Sequence, residues 1–366
     1  MRILIPIISF GRAGGYRVLS ELANHWIALG AVVDFLVDHR SDSPYFPTCG
    51  GILRFGRDGH EIVPSPGTRA QFDASGNAAS IFLGMWRALR RLAPDYDVVL
   101  ANHSLTAWPV ALAPRPRGGW RSRAYYIQAY EPDYFQSDHG WKARVLGVLS
   151  AASYRLPLRR VVNAPIYLRY RGIRAEDWVP PGIDDLIFTR CATLPGTRGA
   201  IWTIGVIGRR EPAKGTADAL AAFERLASRW PNVHLRVAYG NLPHGWSHPR
   251  AVVVTPANDS ELADFYRSLD VMLAPGTLQL GACHYPVIEA MASGVAVVTT
   301  GYLPADETNA WIVPVHAPES IAAAVEQIML TEPGQLARKL DLAASAVEVF
   351  AWHAVAARFL ALLRVL

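Results

Sequence analysis

Two short segments of this sequence place charged and polar side chains where a strand gives way to a helix. The first is GVIGRREPAKG, residues 205–215. An apolar run ends at Ile207, Gly208 permits a tight turn, and Arg209 and Lys214 precede Gly215, where a helical pattern opens. Guanidinium and ammonium groups above a helix start suit a diphosphate, because both stabilise charge that builds on a leaving group. The second is GACHYPVIEAMASGVAVVTTG, residues 281–301. Pro286 reads as the first helical position, where its missing N–H costs little. Glu289 follows in the first turn, and Gly294 ends the helix. The free N–H groups at that start form a second anion site, beside His284, Tyr285, Pro286 and Val287.

Three segments of the first half offer a different chemistry. SFGRAGGYRVLSELANHW (9–26) carries Gly14 and Gly15 between a strand and a helix. Such a loop lets backbone approach a phosphate, although the glycine spacing of a dinucleotide site is incomplete, and a purely structural turn is the alternative. In VVLANHSLTAW (98–108), Asn102 and His103 stand just past the carboxyl end of a strand. A histidine there serves as a base, as a sugar-hydroxyl partner, or as an ordinary loop residue. In YYIQAYEPDYF (125–135), Gln128, Tyr130 and Glu131 follow an apolar run. Aromatic and amide groups suit carbohydrate, while edge packing with a solvated Glu131 is the plainer reading. No Asp-x-Asp metal cluster and no carboxylate pair at double-displacement spacing stand out, so neither a metal nor a protein nucleophile is expected.

The elements that must hold these residues alternate along the chain. RILIPII, YRVLSELANHWIALG and AVVDFLV read as strand, helix, strand, followed by VVLANH and AYYIQAY. The alternation restarts after residue 200 with IWTIGVIG, GTADALAAFERLASRW, VHLRVAYG, AVVVTP, SELADFYRSL and DVMLAPG. Continuous apolar strands between amphipathic helices imply parallel sheets with right-handed crossovers. The expected fold is therefore α/β, with two doubly wound domains at 1–180 and 201–345. A Pro-, Gly- and Thr-rich stretch at 181–200 reads as the linker. Residues 346–366 read as a terminal helix that packs back on the first domain. Ligands of such sheets bind outside the carboxyl ends of the strands, and the default site is a cleft between the domains.

The chain has 366 residues, of which 51% are apolar, enough for two cores. No apolar run reaches the length of a membrane span, and MRILIPIISF reads as a first buried strand in preference to a signal segment. Cys49, Cys191 and Cys283 are few and far apart, which points to a reducing compartment. Residues 1–190 hold 23 Lys and Arg against 16 Asp and Glu, whereas the remainder is slightly acidic. Arg dominates over Lys throughout, a genome-composition effect that does not argue for nucleic acid. The clusters WRALRRLAP, RPRGGWRSR and WKARVLGVL mix Arg or Lys with Trp. They read as a surface for anionic lipid headgroups or as ordinary solvated helix faces.

Taken in order, GRAGGYRVLSELANHWIALG, VPPGID, GVIGRREPAKG, SELADFYRSLDVMLAP and PVIEAMASGVAVVT resemble glycosyltransferase family 4 over nearly the whole chain. The resemblance implies the GT-B architecture, two Rossmann-like domains facing a central cleft. It implies a nucleotide-sugar donor on the second domain, with Arg209 and Lys214 on its diphosphate and Glu289 on the ribose or deoxyribose hydroxyl. The donor set is then Gly14, Gly15, Gly208, Arg209, Lys214, His284, Tyr285, Pro286, Val287 and Glu289. The acceptor set is Arg12, Asn102, His103, Gln128, Tyr130 and Glu131, with His103, Arg209 and Lys214 nearest the chemistry. The family's first Glu falls at Gly281, and its usual GFGLP is ACHYP here. That departure implies either an unusual donor sugar or an impaired site. QAYEP and the Tyr285–Glu289 pair are similar to the rhamnosyltransferases that use dTDP-rhamnose in bacterial surface-glycan assembly. The implied activity is retaining and metal-independent, with no cofactor beyond the donor. The acceptor is a glycan or lipid-linked saccharide, and the place of action is the cytoplasm or the inner face of its membrane. A UDP- or GDP-hexose transferase, a non-catalytic sugar-nucleotide-binding subunit, an epimerase and a nicotinamide oxidoreductase are the alternatives.

Overall fold

The computed structural model describes residues 1–11, 14–63, 74–117, 119, 122–135, 140–170, 172–197 and 199–364. It divides into two compact units, Met1–Gly182 with Trp352–Leu366, and Ile183–Ala351. In chain order the first unit contains β1 (Arg2–Pro6), α1 (Gly14–Ala28), β2 (Val32–Asp38), β3 (Gly51–Phe55), α2 (Ala74–Leu92), β4 (Val98–Ala101), α3 (Ser104–Leu112), β5 (Arg123–Ile127), α4 (Trp141–Ser153), β6 (Arg159–Val162) and β7 (Asp177–Trp178). The second contains β8 (Trp202–Ile207), α5 (Thr216–Arg229), β9 (Val233–Ala238), β10 (Ala251–Val254), α6 (Asp259–Arg267), β11 (Val271–Ala274), α7 (Tyr285–Ala292), β12 (Ala296–Thr299), β13 (Trp311–Ile312), α8 (Pro318–Leu330) and α9 (Pro333–Val347). The last helix, α10 (Trp352–Arg364), belongs to the first unit.

Among the described residues the first sheet is seven-stranded, in the order β3-β2-β1-β4-β5-β6-β7, and the second is six-stranded, in the order β10-β9-β8-β11-β12-β13. Their pairings are parallel. Central strands such as β4 and β12 are buried along their whole length, which explains their unbroken apolar runs. In each sheet the order reverses beside the first strand, at β1/β4 and at β8/β11. Loops leaving the carboxyl ends of those neighbours diverge, and the gap between them is where such sheets take ligands.

The first unit is closed by the end of the chain. Val18, Leu19, Leu22, Ala23 and Trp26 form the buried stripe of α1, and Val355, Ala356, Phe359, Leu360 and Leu363 form that of α10. Trp26 is fully buried, its Nε1 donates to the Ala356 carbonyl at 3.0 Å, and its ring meets Phe359 edge-on at 5.3 Å. Residues 183–200, read from composition as a linker, lie against the second unit: Ile183 N donates to Phe350 O, Cys191 N to Ser293 O, and Gly196 N to Asp270. The Trp26→Ala variant leaves a cavity and removes the indole hydrogen bond that ties α1 to the Ala356 carbonyl of α10. It is expected to lose about 3–5 kcal/mol of first-unit stability, read from the urea dependence of unfolding.

Candidate functional site

The second unit builds its site at the β8/β11 reversal. β8 ends at Ile207, and Gly208 follows directly. Its glycine is required by packing more than by turning, since a Cβ there would lie 1.6 Å from the Gly240 carbonyl oxygen. Asn241 Nδ2 donates to Gly208 O at 3.1 Å and ties the two loops. Thr216, buried at the start of α5, both accepts from Arg209 N and donates to Arg209 O, each at 3.0 Å. Gly215 caps α5 in the left-handed region (φ 73°), and a Cβ there would lie 2.0 Å from Pro275 O. The loop after β11 is joined to this one by Thr277 N donating to Ala213 O at 2.9 Å. Thr300 and Tyr302 hold it from the other side through the Gly276 and Leu278 carbonyls.

Those constraints gather Arg209, Lys214 and His284. Burial, and then the Arg209 charge, hold the Lys214 ammonium below its ordinary pKa, with Glu211 pulling the other way. Burial, then Lys214, then Arg209 push His284 down to about 3, so its ring is neutral at ordinary pH. The ring packs on Tyr302 at 4.7 Å, and its buried Nδ1 has no hydrogen-bond partner among the described residues. Among the described residues neither Arg209 nor Lys214 forms an ion pair. The site therefore presents two cations, a neutral imidazole and the start of α7, with a net demand for an anion.

Two expectations about α7 need correction. The helix begins at Tyr285, with His284 as an extended N-cap, so Pro286 is the second helical residue. Its ring is tolerated there for the same reason as at the first, since that N–H also has no intrahelical partner. Glu289 is the fifth helical residue and lies beyond the first turn, 3% exposed. Tyr266 OH donates to its Oε2 at 2.9 Å. Thr216, Asn241, Tyr266 and Tyr302 were not anticipated. Only Thr216 had a local signal, a hydroxyl immediately after the capping glycine.

The first unit gathers its polar residues at the β1/β4 reversal. Asn102 Nδ2 donates to Pro6 O at 2.7 Å across the ends of the two strands. Gln128 Nε2 donates to Gly15 O at 3.4 Å, and Gly15 leaves room for that amide, while Gly14 stands exposed at the start of α1. Tyr130 packs against Tyr154 and Tyr170. Arg12 lies outside the described residues.

Glu131 is 8% exposed and is not the solvated carboxylate of the plainer reading. It accepts from Ser104 N at 2.9 and 3.1 Å, from Ser104 Oγ, and from Tyr125 OH at 3.4 Å. That places a negative charge at the N-terminus of α3, where the helix dipole favours it. Burial, and then the Glu131 charge, raise the Tyr125 and Tyr154 hydroxyls well above their ordinary range. His103 caps α3: its Nδ1 accepts from Leu105 N at 3.1 Å, and its Nε2 lies 3.2 Å from Glu131 Oε2. Both ring nitrogens are thus engaged. In this position His103 ties the start of α3 to Glu131.

Residues 202–331 match a protein-family model described as Glycosyl transferases group 1. The chain is 29% identical over 216 residues to a D-inositol 3-phosphate glycosyltransferase of Kineococcus radiotolerans, covering 49% of either chain. It is 31% identical over 202 residues to a phosphatidyl-myo-inositol mannosyltransferase of Mycolicibacterium smegmatis, covering 50% of either chain. The chain spans about half the length of the curated relatives it matches. Sucrose-phosphate synthase from Thermosynechococcus elongatus superposes with a TM-score of 0.72 at 17% identity, over 99% of this chain and 98% of that one. WaaG, a glycosyltransferase involved in lipopolysaccharide biosynthesis, does so with a TM-score of 0.67 at 14% identity, over 99% of each. These likenesses extend over both units, and the fold is that of two parallel-sheet, Rossmann-like α/β domains, as in GT-B glycosyltransferase structures.

The neutral state of His284 has a stability consequence. Its pKa falls from an ordinary 6.5 to about 3 on folding, so between these values the unfolded chain binds the extra proton. Stability from this group is complete above the unfolded value and declines as pH falls towards the folded one. Unfolding midpoints measured near pH ~7.5 and pH ~5 should therefore diverge more for wild type than for His284→Gln. An identical divergence would show that the ring is not held neutral.

Proposed function

We propose that the chain is a retaining glycosyltransferase that moves a sugar from a nucleotide diphosphate donor to a glycan or lipid-linked saccharide. The observation that carries this reading is the unpaired Arg209–Lys214 charge beside His284 and the start of α7, at the β8/β11 reversal. The second unit takes the donor. Arg209, Lys214 and the α7 N–H groups hold the diphosphate and stabilise the charge it gains as the glycosyl–oxygen bond breaks. Glu289, fixed by Tyr266, accepts from a hydroxyl of the nucleotide ribose or deoxyribose. The first unit takes the acceptor through Asn102, Gln128 and Tyr130. The acceptor oxygen bonds to the anomeric carbon on the face the diphosphate leaves, and its proton passes to the departing phosphate. No residue of the chain then forms a covalent intermediate.

We assign dTDP-rhamnose as the first donor to test. Gly281 supplies no carboxylate to the sugar, and a 6-deoxy sugar has one hydroxyl fewer to satisfy. A second reading, transfer of mannose or another hexose to an inositol-containing acceptor, is supported by the names of the relatives. The surface-glycan role and the cytoplasmic membrane face follow from the first reading and stand with it.

Calorimetric titration of dTDP, UDP and GDP separates these readings. Binding of dTDP in preference to the others supports the rhamnose donor, and preference for GDP or UDP keeps the transferase and discards rhamnose. Lys214→Ala is expected to weaken the preferred nucleotide roughly ten- to hundredfold, the range of one charge-assisted hydrogen bond. Arg210→Ala, an exposed neighbour, is expected to change it by less than about threefold. Glu289→Ala is expected to reduce affinity for the nucleotide itself. Equal effects of Lys214→Ala and Arg210→Ala would refute the placement of the diphosphate.

A further inference from the structure

The outer edge of the second sheet carries a groove that takes no part in the proposed donor site. Side chains alternate along β9: Val233, Leu235 and Val237 enter the core on one face, and Arg236 points from the other. On that face its neighbour on β8 is Gly205, where a Cβ would lie 2.1 Å from Leu269 Cδ1, so Leu269 fills the space on that side. Its neighbour on the edge strand β10 is Val252, which is 58% exposed. Arg236 thus stands between a filled position and an open one. It lines a cavity of about 450 Å³, together with Val254 and Pro256 from the end of β10 and Glu261, Asp264 and Phe265 from α6. The last three are spaced at three and four residues, which sets them on one face of that helix.

Charge decides what the groove can take. Nε of Arg236 is buried without a hydrogen-bond partner, and the guanidinium forms no ion pair among the described residues. The two carboxylates are already engaged. Glu261 accepts from Ala257 N at 2.9 Å and from Asn258 Nδ2 at 3.3 Å, and Asp264 is paired with Arg267 at 2.6 Å. A buried donor left without an acceptor is costly, and native structures keep few of them. The partner that Arg236 lacks is therefore an anion. The planar guanidinium matches a carboxylate, which accepts two parallel N–H bonds. Glu261 and Asp264 bear on the same groove and repel a dianion about twice as strongly as a monoanion, which favours a carboxylate over a phosphate. Val254, Pro256 and Phe265 offer contact to an apolar body, and the volume lies within the ordinary range of small-molecule sites.

We propose that this groove binds a small monocarboxylate with an apolar body, whose carboxylate oxygens accept from Nε and Nη of Arg236. The inference stands on the second unit alone and does not depend on the transferase reading. The test follows the Arg236 Nε–H resonance of the full chain, made with isotope-labelled arginine and assigned by its loss in Arg236→Gln. Benzoate is expected to shift that resonance saturably at millimolar concentration. Acetate lacks the apolar body, benzamide lacks the charge, and inorganic phosphate lacks both the body and the planar fork; each is expected to bind about tenfold more weakly or worse. In calorimetry, Arg236→Gln is expected to bind benzoate about tenfold more weakly, with dTDP, UDP and GDP affinities intact. Its thermal unfolding midpoint should be unchanged or raised, because the cation it removes has no partner to lose. Benzoate that leaves the resonance in place would overturn the proposal. Equal binding of phosphate would make the groove a general anion site, and an equal loss in Lys214→Ala would move the carboxylate to the donor cations; either result overturns it. So would a dimer, seen by light scattering, that Arg236→Gln dissociates, because the carboxylate would then belong to a second copy.

Discussion

The second unit is organised around two cations, Arg209 and Lys214, that form no ion pair among the described residues. Lys214 is carried into a partly buried position beside Arg209, and His284 is kept neutral by its own burial and then by the two cations near it. Desolvating a cation near another is unfavourable, and a protein tolerates it only where surrounding structure fixes the backbone. The surrounding structure is visible. Gly208 lies under Gly240, Gly215 lies on Pro275, and Thr216 grips both backbone groups of Arg209. None of these contacts reduces the charge. They hold it in place, and the proposed donor diphosphate is the anion that would complement it.

The first unit resolves the equivalent position in the opposite way. At its strand-order reversal the charged group is a carboxylate, Glu131, and it is fully engaged by Ser104, Tyr125 and His103. Among the described residues its neighbours are neutral: the Asn102 and Gln128 amides, each donating to a backbone carbonyl, and the ring of Tyr130. A buried, satisfied network gives rigidity without a net field. Neutral donors and aromatic faces suit hydroxyl-rich ligands, whereas the second unit suits a diphosphate. The same strand-order reversal thus carries different side-chain chemistry in the two units: an engaged carboxylate in the first and two cations in the second.

Much of this was legible in the sequence because it is local. The apolar runs at residues 98–101 and 296–299 are buried strands, and the stretch 205–215 has its strand end, its cations and its capping glycine where the pattern put them. Short strands at or near sheet edges, β3, β7 and β13, were not read, since two to five residues carry little periodicity. The sequence pattern puts Glu289 one helical position too early, because the helix start depends on whether His284 is extended, and no residue type dictates that. The partners that decide roles were illegible for a different reason. Tyr266 to Glu289, Asn241 to Gly208 and Ser104 to Glu131 span 23 to 33 residues, and only the packed sheets bring them together.

Gly281 shows how a departure from a family pattern changes meaning once the backbone is known. From sequence alone, glycine in place of a carboxylate reads equally as an altered donor preference or as decay. The residue lies at φ 85°, and its N–H donates to Gly301 O at 2.8 Å. A β-carbon in the left-handed region costs roughly 1–2 kcal/mol, so a glutamate here would strain the loop. Gln279, two residues earlier, already sits at φ 55°, and Tyr302 fixes the carbonyl of Leu278 just before it. The loop is therefore built around the glycine. A carboxylate at residue 281 would add strain, and three residues on, the same loop delivers the neutral ring of His284 to the start of α7.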